Sequence, residues 1–287
     1  MHMLLSILVD GVSYGMILFI ISIGLSITMG LMRVVNMAHG GFAMLGGFIA
    51  AAVMAWAGAR FEAALAAATV AVALISVPIE RLLMRQVYGR HVLDQALLSI
   101  GLIYIVVAGA NLLFGASITT LQIPHYLTGW VDIGGHTVPK YRLFVTVAGL
   151  IVVTLLWLAI ERTSFGVRIR AAVDNSAIAQ TVGINTSQLY AIAFAVGAAL
   201  AALGGIIGAQ IMPMESTYAL KYLVLMLAVV TVGGMGTVTG TFAAALLLGL
   251  ANTAAIYLVP SMASVAFYLA MFLVLTLRPQ GLFGRSV

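Results

Sequence analysis

The sequence predicts an all-α, polytopic integral membrane protein with eight or nine transmembrane helices, one of them broken or re-entrant, in a single domain over residues 1–287. Three observations predict it. Of 287 residues, 63% are hydrophobic and 7% charged, with mean hydropathy +1.17, whereas soluble domains carry about 25% charged residues. Apolar runs long enough to cross about 30 Å of hydrocarbon recur along the chain. Its few cations gather in the short stretches between those runs, as topology determinants do. The net charge of +5 is therefore no sign of a nucleic-acid partner, which would call for a basic face on a soluble domain. There is no cysteine, which excludes disulfides and thiolate metal sites.

The start, Met1-His2-Met3-Leu4-Leu5, has no Lys or Arg ahead of the apolar run and no small-residue cleavage site after a short core, so it is not read as a signal peptide. Leu4 to Met32 is the first span and Arg33 follows it; Asn36 to Ala57 is the second; Ala63 to Met84 is the third, ended by Arg81, Arg85 and Arg90. Ala96 to Phe114 is the fourth. Residues 115–141 form an outer loop, and Leu143 to Ile160 and Leu189 to Ile211 are the fifth and sixth spans. Tyr222 to Val232 is too short to cross alone at 1.5 Å per residue, so a broken span is expected with Gly233-Gly234-Met235-Gly236 inside the protein. Thr241 to Val259 and Ala263 to Leu277 complete the chain. This arrangement places nine cations on one side and four (Arg60, Lys140, Arg142 and Lys221) on the other. The richer side is read as cytoplasmic, with the N-terminus outside and the C-terminus inside.

Small residues at four-residue spacing, such as Gly11 and Gly15, or Gly197, Ala201 and Gly205, read as seams where helices approach closely. The segments Gly40 to Gly47 and Gly233 to Gly240 echo each other faintly, as an internal repeat would. No Asp, Glu, Lys or Arg falls near the centre of any span. An ion-driven pump places such groups there to bind its ion. A phosphate-cradling loop ending Gly-Lys-Ser/Thr is also missing, so ATP hydrolysis by that route must come from a partner. Neither a Ser-His pair nor paired carboxylates share a depth, which leaves no enzyme site; no cofactor is implied. His125, Asp132 and His136 fit no zinc spacing, so no metal site is expected. The candidates for a translocation path or gate are Asn36, His39, Asn111, Thr237 and Asn252. Asn36 and His39, three apart, would share a helix face at the inner start of the second span. They line a path there, or they are a cap and a packed, hydrogen-bonded residue.

The long charged insertion over residues 161–187 is the part shaped to touch something. Asp174-Asn175-Ser176, then Ala-Ile-Ala-Gln-Thr-Val, then Gly183 spell a cap, two helical turns and a stop. Ile178 and Val182, four apart, share one face with Ala179 beside them. That face suits a groove in a motor subunit or, with Arg168 and Arg170 nearby, lipid headgroups.

These residues carry a resemblance. Asp10-Gly11 with Tyr14-Gly15, Asn36-Met37-Ala38-His39-Gly40 with Met44-Leu45-Gly46, Arg170-Ala171-Ala172 through Gly183-Ile184-Asn185, Gly233-Gly234-Met235-Gly236-Thr237, and Arg278-Pro279-Gln280-Gly281-Leu282-Phe283-Gly284 stand in an order and spacing that resembles the first permease of branched-chain amino acid ABC importers. The resemblance implies a non-enzymatic transport subunit in a bacterial inner membrane. Its implied partners are a second permease, two ATP-binding subunits and a periplasmic solute-binding protein. It also implies that Asp174, Asn175, Ser176, Ile178, Ala179, Val182 and Gly183 couple to the ATP-binding subunit. Asp174-Asn175-Ser176 departs from the commoner Glu-Asn-Pro, which leaves the helix start open. Relatives of this type also move urea and short amides, the alternative substrates; a stand-alone channel is the alternative class.

Overall fold

Helix α1 (His2–Met32) is apolar around its whole circumference and becomes the axis of the bundle: residues 16–21 are almost completely inaccessible. The computed structural model describes residues 2–32, 34, 36–115, 119–133 and 136–284. Arg33 and Arg285, two of the cations counted for the inner side, lie outside them. The chain continues as α2 (His39–Ala57), α3 (Phe61–Leu82), α4 (Val92–Phe114), a hairpin of β1 (Trp130–Ile133) and β2 (His136–Pro139), α5 (Lys140–Arg162), α6 (Ser164–Asp174), α7 (Ser176–Thr181), α8 (Thr186–Gly208), α9 (Tyr218–Gly233), α10 (Val238–Leu258) and α11 (Ala263–Leu277).

Among the described residues, seven helices are long and apolar enough to cross a membrane: α1, α2, α3, α4, α5, α8 and α10. Helices α9 and α11 are apolar but shorter, with 16 and 15 residues. The expected eight or nine spans thus become seven full-length helices and two short ones. Helix α9 begins four residues ahead of the expected short run, because Tyr218 and Ala219 are buried against its neighbours.

Glycine decides how closely α1 is approached. A Cβ on Gly24 would fall 2.3 Å from the carbonyl oxygen of Gly197 on α8, and one on Gly30 would fall 2.1 Å from the Cα of Gly236. Such backbone-to-backbone contact replaces the hydrophobic drive that is lost between helices in lipid. Helices α8, α9 and α10 pack around α1 through these seams, while α3, α4, α5 and α11 turn much of their apolar surface outward.

The chain has two ends. At one lie the C-terminal ends of α1, α3, α5 and α9, the short helices α6 and α7, and the tail, whose Leu282 and Phe283 amides donate to the carbonyls of Val232 and Gly233. At the other lie the hairpin and the segment 119–127, where the Gln210 side chain donates to Leu121 O at 2.7 Å. The hairpin pairs Trp130 with Pro139 through Ile133 with His136, and β2 feeds directly into α5.

Three local expectations are corrected. Helix α2 starts at His39 and not at Asn36, for reasons given below. The 161–187 insertion is largely helical: Glu161 and Arg162 still belong to α5, and α6 occupies 11 residues that read as a charged loop. Its buried face of Gly166, Ile169 and Ala172 packs back on the bundle, and Arg170 Nη1 donates to Ile160 O at 2.9 Å. The two glycine segments are also unlike. Gly40 to Gly47 lie inside α2, whereas Gly234 and Gly236 break the chain between α9 and α10 with φ of 94° and 79°.

Candidate functional site

Helix α7 is six residues long, and its two closures explain why so short a helix persists. Of the three residues left open for its start, Asn175 is the cap: its Oδ1 accepts from Ile178 N at 3.0 Å. At the far end Gly183 takes φ +86°, its amide donates to Gln180 O, and Ile184 N donates to Ala179 O at 3.0 Å. This glycine-dependent stop satisfies carbonyls that the helix leaves open. Gln180 Nε2 then donates to Thr186 Oγ1 at 2.8 Å, and Asn185 caps α8 by accepting from Gln188 N. Both ends of α7 are therefore anchored.

The faces of α7 differ from the expectation in one residue. Ile178 and Val182 project outward, 61% and 71% exposed, but Ala179 is turned into the body at 2%. Leaving an Ile or a Val in water forgoes about 1.5–3 kcal/mol of burial. Asp174 ends α6, and Ser176 opens α7.

Asn36 and His39 occupy an unexpected height. A ring nitrogen of His39, Nε2, lies 3.0 Å from Ile21 O, eleven residues and therefore about 16 Å before the end of α1. Gly40 sits against the carbonyl of Ala219 in the first turn of α9, whereas Gly236, in the turn that follows α9, sits against Gly30. Helix α2 therefore begins halfway up the bundle, buried on all sides, and not at the end where α1 finishes. Asn36 Oδ1 accepts from Ala38 N at 3.1 Å, a turn that prepares the helix start, while Ala38 itself occupies the cap position. Both Asn36 and His39 are fully buried. The positive end of a helix at mid-height is the device by which broken membrane helices present backbone amides to a polar passenger.

The other candidates do not join them. Asn111, near the C-terminal end of α4, accepts from the Ser216 hydroxyl. Thr237 lies at the opposite end, its hydroxyl donating to Gly234 O at 2.8 Å in the turn between α9 and α10. Asn252 is half-buried on the C-terminal half of α10, toward the hairpin end. Among the described residues no three His, Asp or Glu side chains gather as a metal site would require.

A protein family described as "Branched-chain amino acid transport system / permease component" matches residues 7–276. The chain belongs to this family. It is 29% identical over 293 residues to the high-affinity branched-chain amino acid transport system permease protein BraD of Pseudomonas aeruginosa, covering 97% of this chain and 95% of the relative. It is 25% identical to the permease LivH of Escherichia coli K12, covering 96% and 94%. To the probable permease LivH of Methanocaldococcus jannaschii it is 23% identical, covering 97% and 92%. No solved structure matches the chain.

In this permease one buried cluster has no counterpart in the sequence reading. Glu80, fully inaccessible in the last turn of α3, pairs with Arg85 at 3.0 Å and accepts from Tyr88 Oη at 3.2 Å. Arg85 also donates to Ser187 O at the start of α8, and the Tyr88 ring meets Tyr190 edge-on at 6.2 Å. Burial and the Glu80 carboxylate push the Tyr88 phenol up, which keeps it a donor. The cluster ties the connection between α3 and α4 to the helix that follows α7. The one signal for it was a lone Glu in an apolar run with an arginine five residues on, outside the three- or four-residue spacing of helical pairs.

Proposed function

We propose that this permease is the membrane-spanning subunit of an ATP-driven importer that carries branched-chain amino acids across a bacterial inner membrane. The observation that carries the proposal is α7: a capped, anchored helix that leaves Ile178 and Val182 exposed at the cation-rich end. Arg81, Arg85, Arg90, Arg162, Arg168, Arg170 and Arg278 all belong to that end, which supports its assignment to the cytoplasm. Two ATP-binding subunits would dock there. A second permease would complete the pathway, and a periplasmic solute-binding protein would approach the end that carries the hairpin. We read α9 and α11 as crossings too, giving nine spans with the N-terminus outside and the C-terminus inside. In this reading Asn36 and His39 set the mid-height start of α2 beside the path, and Asn111, Thr237 and Asn252 stay as candidates for its lining.

The test is reconstitution of the permease with its partner subunits in proteoliposomes. ATP-dependent accumulation of radiolabelled L-leucine, and co-purification of the ATP-binding subunit with the permease, are the expected results. Leucine equilibration by the permease alone without ATP would make it a facilitator, and accumulation of urea in place of leucine would move the substrate to the amides.

A further inference from the structure

The hairpin end of the bundle holds a charged pair that stands apart from α7, the start of α2 and the Glu80 cluster. Asp10, inside α1, pairs with Arg142 in the first turn of α5, and Tyr257 near the end of α10 donates to Asp10 Oδ2 at 2.6 Å. The side chains of Asp10 and Arg142 are 12% and 32% exposed, so both are substantially withdrawn from water. Burying opposite charges gives little net stability, and an apolar pair of similar size often serves packing as well. Here the three groups line a cavity of about 150 Å³ beneath the hairpin. Its remaining walls are mixed: Leu5, Val9, Val138 and Pro139 are aliphatic, Trp130 is aromatic, and Ser6 and Thr137 add hydroxyls.

We propose that this cavity is an outer binding site for the permeant itself, an α-amino acid zwitterion with a short aliphatic side chain; the assignment rests on the transport reading above. The two parts of the lining match the two parts of such a solute. The guanidinium of Arg142 offers a planar fork to the α-carboxylate, and the Asp10 carboxylate, steered by Tyr257, accepts from the α-ammonium. The aliphatic side chains of Leu5, Val9 and Val138 take the branched side chain. Without a guest, Asp10 and Arg142 neutralise one another. A zwitterion inserted between them replaces one ion pair with two and changes no net charge, so neither partly buried charge is left unpaired at either stage. An uncharged amide gains nothing comparable. The site also lies at the end that a solute-binding protein would face, where β2 runs into α5 two residues before Arg142.

The experiment titrates radiolabelled L-leucine against the complete importer in lipid nanodiscs, without the solute-binding protein, and measures leucine uptake by the full system in parallel. Saturable binding is expected, weakened about tenfold or more in Asp10→Asn and in Arg142→Gln and several-fold in Tyr257→Phe. L-Valine should compete, whereas 4-methylpentanoate, which lacks the ammonium, isoamylamine, which lacks the carboxylate, and urea should not. The double variant Asp10→Asn/Arg142→Gln separates a binding site from a pair that only holds helices together. A structural pair tolerates joint removal, so the double would regain what each single variant lost; a zwitterion site makes the double the weakest of the three. Wild-type uptake of leucine together with unaltered binding in the single variants, or with recovery in the double, overturns the site and leaves the transport reading standing. Wild-type importer that takes up no leucine removes both.

Discussion

At Glu80 a carboxylate is fully buried and depends on two donors, Arg85 and Tyr88. Removing a partner from such a group leaves a charge that nothing compensates, whereas removing both charges is far milder. Because Arg85 is 37% exposed, the loss is smaller than for a pair in the dry interior. Arg85→Met should cost about 1–3 kcal/mol of stability, and adding Glu80→Gln should recover most of it. Thermal unfolding of the purified permease checks this, and equal losses in the single and double variants would show that the pair does not carry the cluster. Little of this was legible in the sequence. The spacing from Glu80 to Arg85 matches no helical pair, and the two meet only because the chain leaves α3 between them. Ala179 was misplaced for a related reason: four-residue spacing puts Ile178 and Val182 together, but which neighbour faces the body depends on how α6 and α8 hold the loop.

At the level of elements, the long apolar helices were legible because hydropathy reports composition and needs no tertiary contact, although the expected eight or nine spans came out as seven full-length helices and two short ones. The stop of α7 at Gly183 was legible, and its cap was narrowed to Asp174, Asn175 or Ser176, because these residue types have local reasons to stand at helix ends. The height at which α2 begins was not. It depends on a bond from His39 to the middle of α1 and on Gly40 lying against α9, contacts that no periodicity encodes. Helix α6 was hidden because its arginines read as loop, although Ile169 and Ala172, three residues apart, mark its buried face. The seams permit a matched comparison. Gly24 and Gly109 both lie inside apolar helices, but Gly24 meets the backbone of α8 while a Cβ on Gly109 would have nothing within 4 Å. Gly24→Leu should abolish the folded permease, as judged by a monodisperse peak in detergent, because α1 and α8 would have to separate. Gly109→Leu should leave that peak in place. Loss of both, or of neither, would mean that close approach along α1 is not what assembles the bundle.

For the whole molecule, sidedness and energy supply are a single question, since in the proposed importer α7 would have to meet its ATP-binding subunit from the cytoplasm. With no cysteine in the chain, introduced ones report sidedness cleanly. In intact cells a membrane-impermeant maleimide should label Thr128→Cys, beside the hairpin, and should label Thr181→Cys only after permeabilisation. The reverse pattern would invert the topology. The central claim, that energy enters through α7, is tested most directly by placing charge on its exposed face. Ile178→Asp and Val182→Asp alter side chains that the bundle does not use for packing, so the permease should remain inserted and abundant. Measured in the reconstituted importer with loaded solute-binding protein, substrate-stimulated ATPase activity and leucine uptake should fall at least about tenfold in the double variant, because two buried aliphatic contacts are worth some 3–6 kcal/mol at an interface that forms around them. Full substrate-stimulated ATPase activity and full uptake in that variant would contradict the claim and move the coupling contact to the connection between α3 and α4.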